Sequence, residues 1–132
     1  MPLPVHRILY VEDEPDIRAI AQMALEAVGG FTVIACASGS EALAVAPGAA
    51  VDLLLLDVMM PGMDGPSALQ ALRQLPATAG TPVIFMTAKV QPAEVAQYKA
   101  LGALDVIAKP FDPMELPAQI RQICDRPRQA AD

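Results

Sequence analysis

The chain has 132 residues, 54% of them apolar and 18% charged, enough for one hydrophobic core and too few for two full domains. Nine Lys and Arg against fifteen Asp and Glu leave a formal net charge of -6, the wrong sign for a general phosphate-backbone binder, so no direct nucleic-acid partner is expected. The richest apolar stretch, Val51 to Met60, is broken by Asp52 and Asp57, so no membrane insertion is expected, and Met1 to His6 shows no secretory pattern.

Short apolar runs alternate with amphipathic stretches from end to end, the pattern of strand and helix units. The first strand is predicted over Ile8 to Val11 and the first helix over Pro15 to Val28. Ile17, Ile20, Ala21, Ala24, Leu25 and Val28 fall on one face of that helix at helical spacing, and Gly29-Gly30 ends it. A second strand, Thr32 to Cys36, leads to a short helix, Ser40 to Ala46, that stops before Pro47-Gly48. A third strand, Val51 to Leu56, is followed by the turn residues Pro61-Gly62 and Asp64-Gly65 and a helix over Pro66 to Leu75. The fourth strand, Pro82 to Met86, precedes a helix over Pro92 to Leu101 that opens on a proline and closes at Gly102. The fifth strand, Asp105 to Ala108, precedes a helix over Pro113 to Cys124. Asp112 is its expected N-cap with Glu115 three residues on, and Pro117 predicts a late start or a kink because it lacks an amide hydrogen.

Five strand-helix pairs with strands apolar on both faces predict a doubly wound α/β domain around a parallel sheet, whose ligands bind at the carboxyl ends of the strands. Cys36 and Cys124 lie far apart in apolar contexts and are expected to be buried thiols in a reducing compartment. His6 has no second imidazole to share a metal and is expected at the surface. Met59, Met60 and Met63 surround a turn without Cys or His, which suits gap-filling or surface contact better than a soft-metal site.

The strand ends carry the chemistry. Glu12, Asp13 and Glu14 follow the first strand, Asp57 ends the third, Thr87 the fourth and Lys109 the fifth. In a parallel sheet these endings share one edge, and carboxylates crowded there require a cation or a raised pKa. Mg²⁺ suits such a site, taking one or two carboxylates together with waters and a phosphate. Glu14 reads as a solvated charge at a helix start.

The segments VEDE at 11–14, LLLLDVMMPGMDG at 53–65, MTA at 86–88 and KPF at 109–111 resemble the receiver domain of bacterial two-component response regulators. The resemblance covers residues 7–124 in order and spacing. It implies a flavodoxin-like fold: a five-stranded parallel sheet in the order 2-1-3-4-5 with five helices, the domain filling residues 1–125 and leaving a short polar tail at 126–132. By the same resemblance Asp57 is the phosphoacceptor. A carboxylate with an ordinary pKa near 3.9 would be ionised at neutral pH and need no separate base. Glu12 and Asp13 would hold Mg²⁺ with the Asp57 carboxylate and the Met59 main-chain carbonyl. The family more often has two aspartates at that pair, and the longer Glu12 would act through a coordinated water. Lys109 would contact the phosphoryl oxygens, Thr87 would be the switch hydroxyl, and the Lys109-Pro110 bond would be cis.

Val106 stands where many family members carry a Tyr or Phe that rotates on phosphorylation, which implies a weaker or differently wired switch. Met59 and Lys89 occupy the positions that tune hydrolysis. Neither can orient an attacking water, which predicts slow self-dephosphorylation. The implied partner is a histidine kinase or histidine phosphotransfer protein, docking near Pro15 to Ile20 and the loop after Lys109. A non-enzymatic, cytoplasmic signalling role is expected, and with no residues to spare for an output domain the output is expected to be an altered protein contact or a phosphoryl group passed onward. Rival readings fit less well. An FMN phosphate would be repelled by Glu12, Asp13 and Glu14, and a haloacid dehalogenase phosphatase needs an Asp where Met59 stands. A receiver reduced to a docking module is disfavoured by the complete Asp57, Thr87 and Lys109 set.

Overall fold

The strands are β1 (Arg7–Val11), β2 (Thr32–Cys36), β3 (Leu53–Asp57), β4 (Val83–Thr87) and β5 (Asp105–Ala108). The helices are α1 (Pro15–Met23), α2 (Gly39–Ala49), α3 (Gly65–Leu72), α4 (Pro92–Ala100) and α5 (Leu116–Asp125). This computed structural model describes residues 5–126. All strand pairings are parallel, in the order β2-β1-β3-β4-β5. The order reverses between β1 and β3, which opens a crevice at their carboxyl ends.

The alternation of side chains along each strand divides the core into two layers. Ile8, Tyr10, Leu53, Leu55, Ile84 and Met86 face α1 and α5, where Ala21, Leu25, Leu116, Ile120 and Cys124 close the layer. Leu9, Val11, Leu54, Leu56, Val83 and Phe85 face the other side and meet Ala42 and Ala46 of α2 and Leu69 and Leu72 of α3. Cys36 and Cys124 are buried in different layers, so they cannot bridge to each other. His6 is exposed, as its sequence context suggests. Among the described residues no helix is long and apolar enough to cross a membrane.

Several boundaries depart from the sequence reading for local reasons. Residues Ala24–Val28 continue α1 as a π-helical turn in which the Gly29 amide donates to the Ala24 carbonyl (3.1 Å). The widened turn moves Val28 off the buried stripe, and Ile20 is also exposed, so only part of the predicted apolar face is covered. The second helix runs through Pro47 and Gly48 instead of stopping before them, because its end is held from outside: Arg7 Nε donates to the Ala49 carbonyl (3.0 Å), and the buried Ala46 and Ala49 anchor it. The third helix ends at Leu72, and Arg73 turns back to donate to the carbonyls of Thr78 (2.8 Å) and Thr81 (2.5 Å). The fifth helix starts late, as Pro117 predicts. Asp112 caps the preceding turn by accepting from the Met114 amide (2.9 Å) rather than capping the helix itself. Arg126, placed in the polar tail by sequence, instead donates to Asp105 Oδ2 (2.6 Å), and residues 127–132 lie outside the described residues.

Ala50 terminates α2 in the left-handed region, at φ 52° and ψ 53°. An L side chain there is strained, and glycine is not. Ala50→Gly is expected to raise the unfolding free energy by about 0.5–1 kcal/mol, read from the urea midpoint; an unchanged or lowered midpoint would contradict the strain.

Candidate functional site

The crevice between the ends of β1 and β3 collects the acidic residues. The Glu12 amide donates to the Cys36 carbonyl (3.0 Å), prolonging the β1–β2 ladder by one residue and carrying the Glu12 side chain fully under cover. Asp13 follows at the rim, half-buried. Asp57 is the last residue of β3 and is 2% exposed. Carboxylate oxygens of Glu12, Asp13 and Asp57 lie within 4.8 Å of one another.

Lys109 is delivered from the far side of the sheet. Its amide donates to the Thr87 carbonyl (2.9 Å), and the Lys109-Pro110 bond is cis, as the sequence resemblance implied. Its ammonium stands 2.8 Å from Glu12 Oε1 and 3.2 Å from Asp57 Oδ1. Two buried carboxylates therefore share one cation. Burial first, and then the charge of Glu12, push the Asp57 carboxyl up to about 7, against the pull of Lys109. This corrects the expectation of an ordinary, ionised aspartate: positive charge beyond Lys109 is needed to keep Asp57 ionised at neutral pH. Lys109 is raised despite its own burial, through its hydrogen bond to Glu12 and the charges of both carboxylates. Clustered hard oxygen donors short of positive charge fit Mg²⁺.

The other predicted residues surround this centre. Thr87 is buried at the end of β4, and its Oγ1 accepts from the Lys89 amide (3.1 Å). The Lys89 side chain is exposed, as is that of Met59. Glu14 is exposed, with its amide directed at Glu12 Oε2 (3.3 Å). Val106 is half-buried, in register with Phe85 of β4, and the ring over this part of the sheet comes from Tyr98 of α4, centred 5.4 Å from that of Phe85.

Three residues with a bearing on the site escaped the sequence reading. Arg18 of α1 reaches back so that Nη1 donates to the carbonyls of Glu12 (2.8 Å) and Asp13 (3.5 Å), fixing the turn that carries both acids. A cation six residues after an acidic pair is a weak signal by itself. Gly65 seats α3 directly on β3: a Cβ there would lie 2.6 Å from the Asp57 carbonyl oxygen, so its role is close approach as well as turning. Tyr10 is fully buried two positions before Glu12, with a hydroxyl that has no partner.

A family model described as the response regulator receiver domain matches residues 8–121. The transcriptional regulatory protein CpxR of Escherichia coli is 41% identical over 122 residues, which are 92% of this chain and 50% of that protein. The transcriptional regulatory protein YvrH of Bacillus subtilis is 38% identical over 125 residues, 95% of this chain and 52% of that one. The chain thus spans about half the length of the curated relatives it matches. Among solved structures, the chemotaxis protein CheY4 of Vibrio cholerae superposes with a TM-score of 0.82 at 32% identity, covering 91% of this chain and 99% of that one.

A carboxyl raised in the folded state binds a proton that the unfolded chain has already lost, so its contribution to stability falls as pH rises from about 4 through about 7. Without metal, Asp57→Asn is therefore expected to melt above the wild type, by several degrees at pH 8 and less at pH 5. Millimolar Mg²⁺ should raise the wild-type melting temperature and narrow that gap. A gap independent of both pH and Mg²⁺ would refute this account of the crowded site.

Proposed function

The chain belongs to the response regulator receiver domain family of two-component signalling, and from that premise we propose that Asp57 accepts a phosphoryl group from a phosphohistidine of a histidine kinase or phosphotransfer protein. The observation that carries this reading is the pair of buried carboxylates, Glu12 and Asp57, held around the single Lys109 ammonium with Asp13 at the rim. An Asp57 carboxylate oxygen attacks phosphorus, the P–O bond forms as the P–N bond breaks, and the departing imidazole leaves with the electron pair and is protonated. Phosphoryl transfer needs chiefly alignment and charge neutralisation. Glu12, Asp13, Asp57 and the Met59 carbonyl would hold Mg²⁺, which supplies positive charge that favours the ionised nucleophile and offsets charge on the phosphoryl oxygens. Lys109 supplies the rest from the opposite side. The phosphodonor docks at the shallow apolar cleft of about 170 Å³ lined by Ile17, Ile20, Pro110, Phe111 and Pro113, which leads to Lys109.

Thr87 converts the new charge into movement. Its oxygen now accepts from the Lys89 amide, while its hydroxyl proton is free to turn to a phosphoryl oxygen. A rotation of the side chain that carries the oxygen toward the phosphoryl group gives up the Lys89 bond and releases the loop that leads into α4. Val106 has no ring to follow Thr87, and the Phe85–Tyr98 pair links the same strand to α4 in its place. The exposed Met59 and Lys89 side chains offer no group to activate water, which favours a phosphoryl group that persists for minutes or longer. The role is that of a signalling module, with output through altered protein contacts.

Incubation with Mg²⁺ and a labelled small phosphodonor is expected to give one acid-stable, base-labile phosphoryl group per wild-type chain and none on Asp57→Asn. Equal labelling of both would overturn the assignment. Thr87→Ala is expected to label to a similar extent yet lose the change in Lys89 amide exchange that accompanies labelling of the wild type; a retained change would remove Thr87 from the switch.

A further inference from the structure

The apolar cleft beside Lys109 has margins of one charge. One bank is the start of α1, where Ile17 is half-buried and Ile20 is 48% exposed. Asp16 stands four residues before Ile20, so the two share a helix face, and Glu14 precedes the helix at its N-cap position. The other bank is the segment after β5. There Asp112 lies between the cleft residues Phe111 and Pro113, and Glu115 closes the turn by donating its amide to the Asp112 carbonyl (3.0 Å). All four acids are exposed, and among the described residues none of them is in an ion pair.

The cations of this edge are turned the other way. The Lys109 ammonium stands on Glu12 and Asp57, and Arg18 Nη1 on the carbonyls of Glu12 and Asp13. An incoming surface therefore meets apolar side chains between two acidic banks, with the positive charge withdrawn toward the strand ends. A phosphohistidine brings about two more negative charges to that approach. Coulomb repulsion opposes such a donor unless it carries positive charge of its own along the contact. A second copy of this chain would set the same acids against each other, which makes it a poor occupant.

This inference rests on the phosphoacceptor reading of Asp57. We propose that the cleft takes a helical face of the phosphodonor protein in which an apolar ridge is flanked on both sides by Lys or Arg. The ridge packs on Ile17, Ile20 and Phe111, while the flanking cations meet Asp16 on one bank and Asp112 and Glu115 on the other. The apolar contact holds the complex together. The acidic banks speed its formation and select against donors whose flanks are neutral or acidic.

The probes are two designed amphipathic helical peptides with the same leucine face, one flanked by lysines and one by glutamates, each added to the isotope-labelled chain with Mg²⁺. The lysine peptide is expected to shift the amide resonances of Ile17, Ile20 and Phe111. Its affinity is expected to fall about five- to tenfold as NaCl rises from about 50 to about 300 mM. The glutamate peptide should leave those resonances in place. Asp16→Asn combined with Glu115→Gln should weaken the lysine peptide about three- to fivefold at low salt and hardly at high salt, whereas Ile20→Ala should weaken it at both. Asp112 is left intact because its carboxylate also holds the Met114 amide. Should the double variant fail to fold, the contrast between the peptides and the salt dependence on the wild type decide. Shifts spread over the rest of the surface, equal binding of both peptides, or a double variant that matches the wild type at low salt overturns recognition by the acidic banks. A wild type that takes no label from a small phosphodonor overturns the Asp57 reading instead, whatever the peptides do.

Discussion

One ammonium between two buried carboxylates is the constraint on which this molecule turns. Lys109 sits within 3.2 Å of Asp57 and closer still to Glu12, and its single charge cannot satisfy both in a place shielded from water. The deficit is visible in Asp57, which holds its proton to near neutrality. Such a site is poised by shortage: whatever brings positive charge to it, or redistributes the charge it has, changes the protonation of Asp57. The rest of the fold serves to keep that shortage from relaxing by collapse or by hydration.

The supports come from both sides of the sheet. Arg18 ties the backbone of Glu12 and Asp13 from α1, and the Glu12 amide is held by β2. On the other side Gly65 lets the start of α3 rest on the Asp57 backbone, and its amide donates to the Val58 carbonyl (2.9 Å). Asp64 caps that helix by accepting from the Ser67 amide (2.8 Å). The carboxylates are therefore fixed through their main chains, while the side chains of Lys109 and Thr87 are held by shared or single polar contacts.

Much of this was legible in the chain alone. Strands apolar on both faces, separated by helix-length stretches, lead to a parallel sheet, and the residues at its strand ends converge because all strands run the same way. That is why the sequence alone brings Glu12, Asp13, Asp57, Thr87 and Lys109 to one edge. What escaped depends on contacts that no local pattern encodes. Pro47 does not end α2 because Arg7, forty residues away in sequence and adjacent in space, takes the carbonyl of Ala49. Ile20 and Val28 share the helical spacing of buried residues, but cover over the stripe runs out before it reaches them. Asp57 reads as an ordinary acid until the depth of β3 and the nearness of Glu12 are known. Tyr10 reads as one more apolar strand residue because periodicity counts its ring and is blind to its oxygen.

The two core layers have a consequence for how such a domain diversifies. Ile17, Ile20 and Phe111, on the side of α1 and α5, border the cleft that leads to Lys109, whereas Tyr98, Phe85 and Val106 belong to the opposite layer. The sheet, buried throughout at β3 and β4, separates the two. Substitutions on one side can therefore accumulate without repacking the other, so the two surfaces can drift along separate evolutionary paths while the strand-end residues between them stay the same.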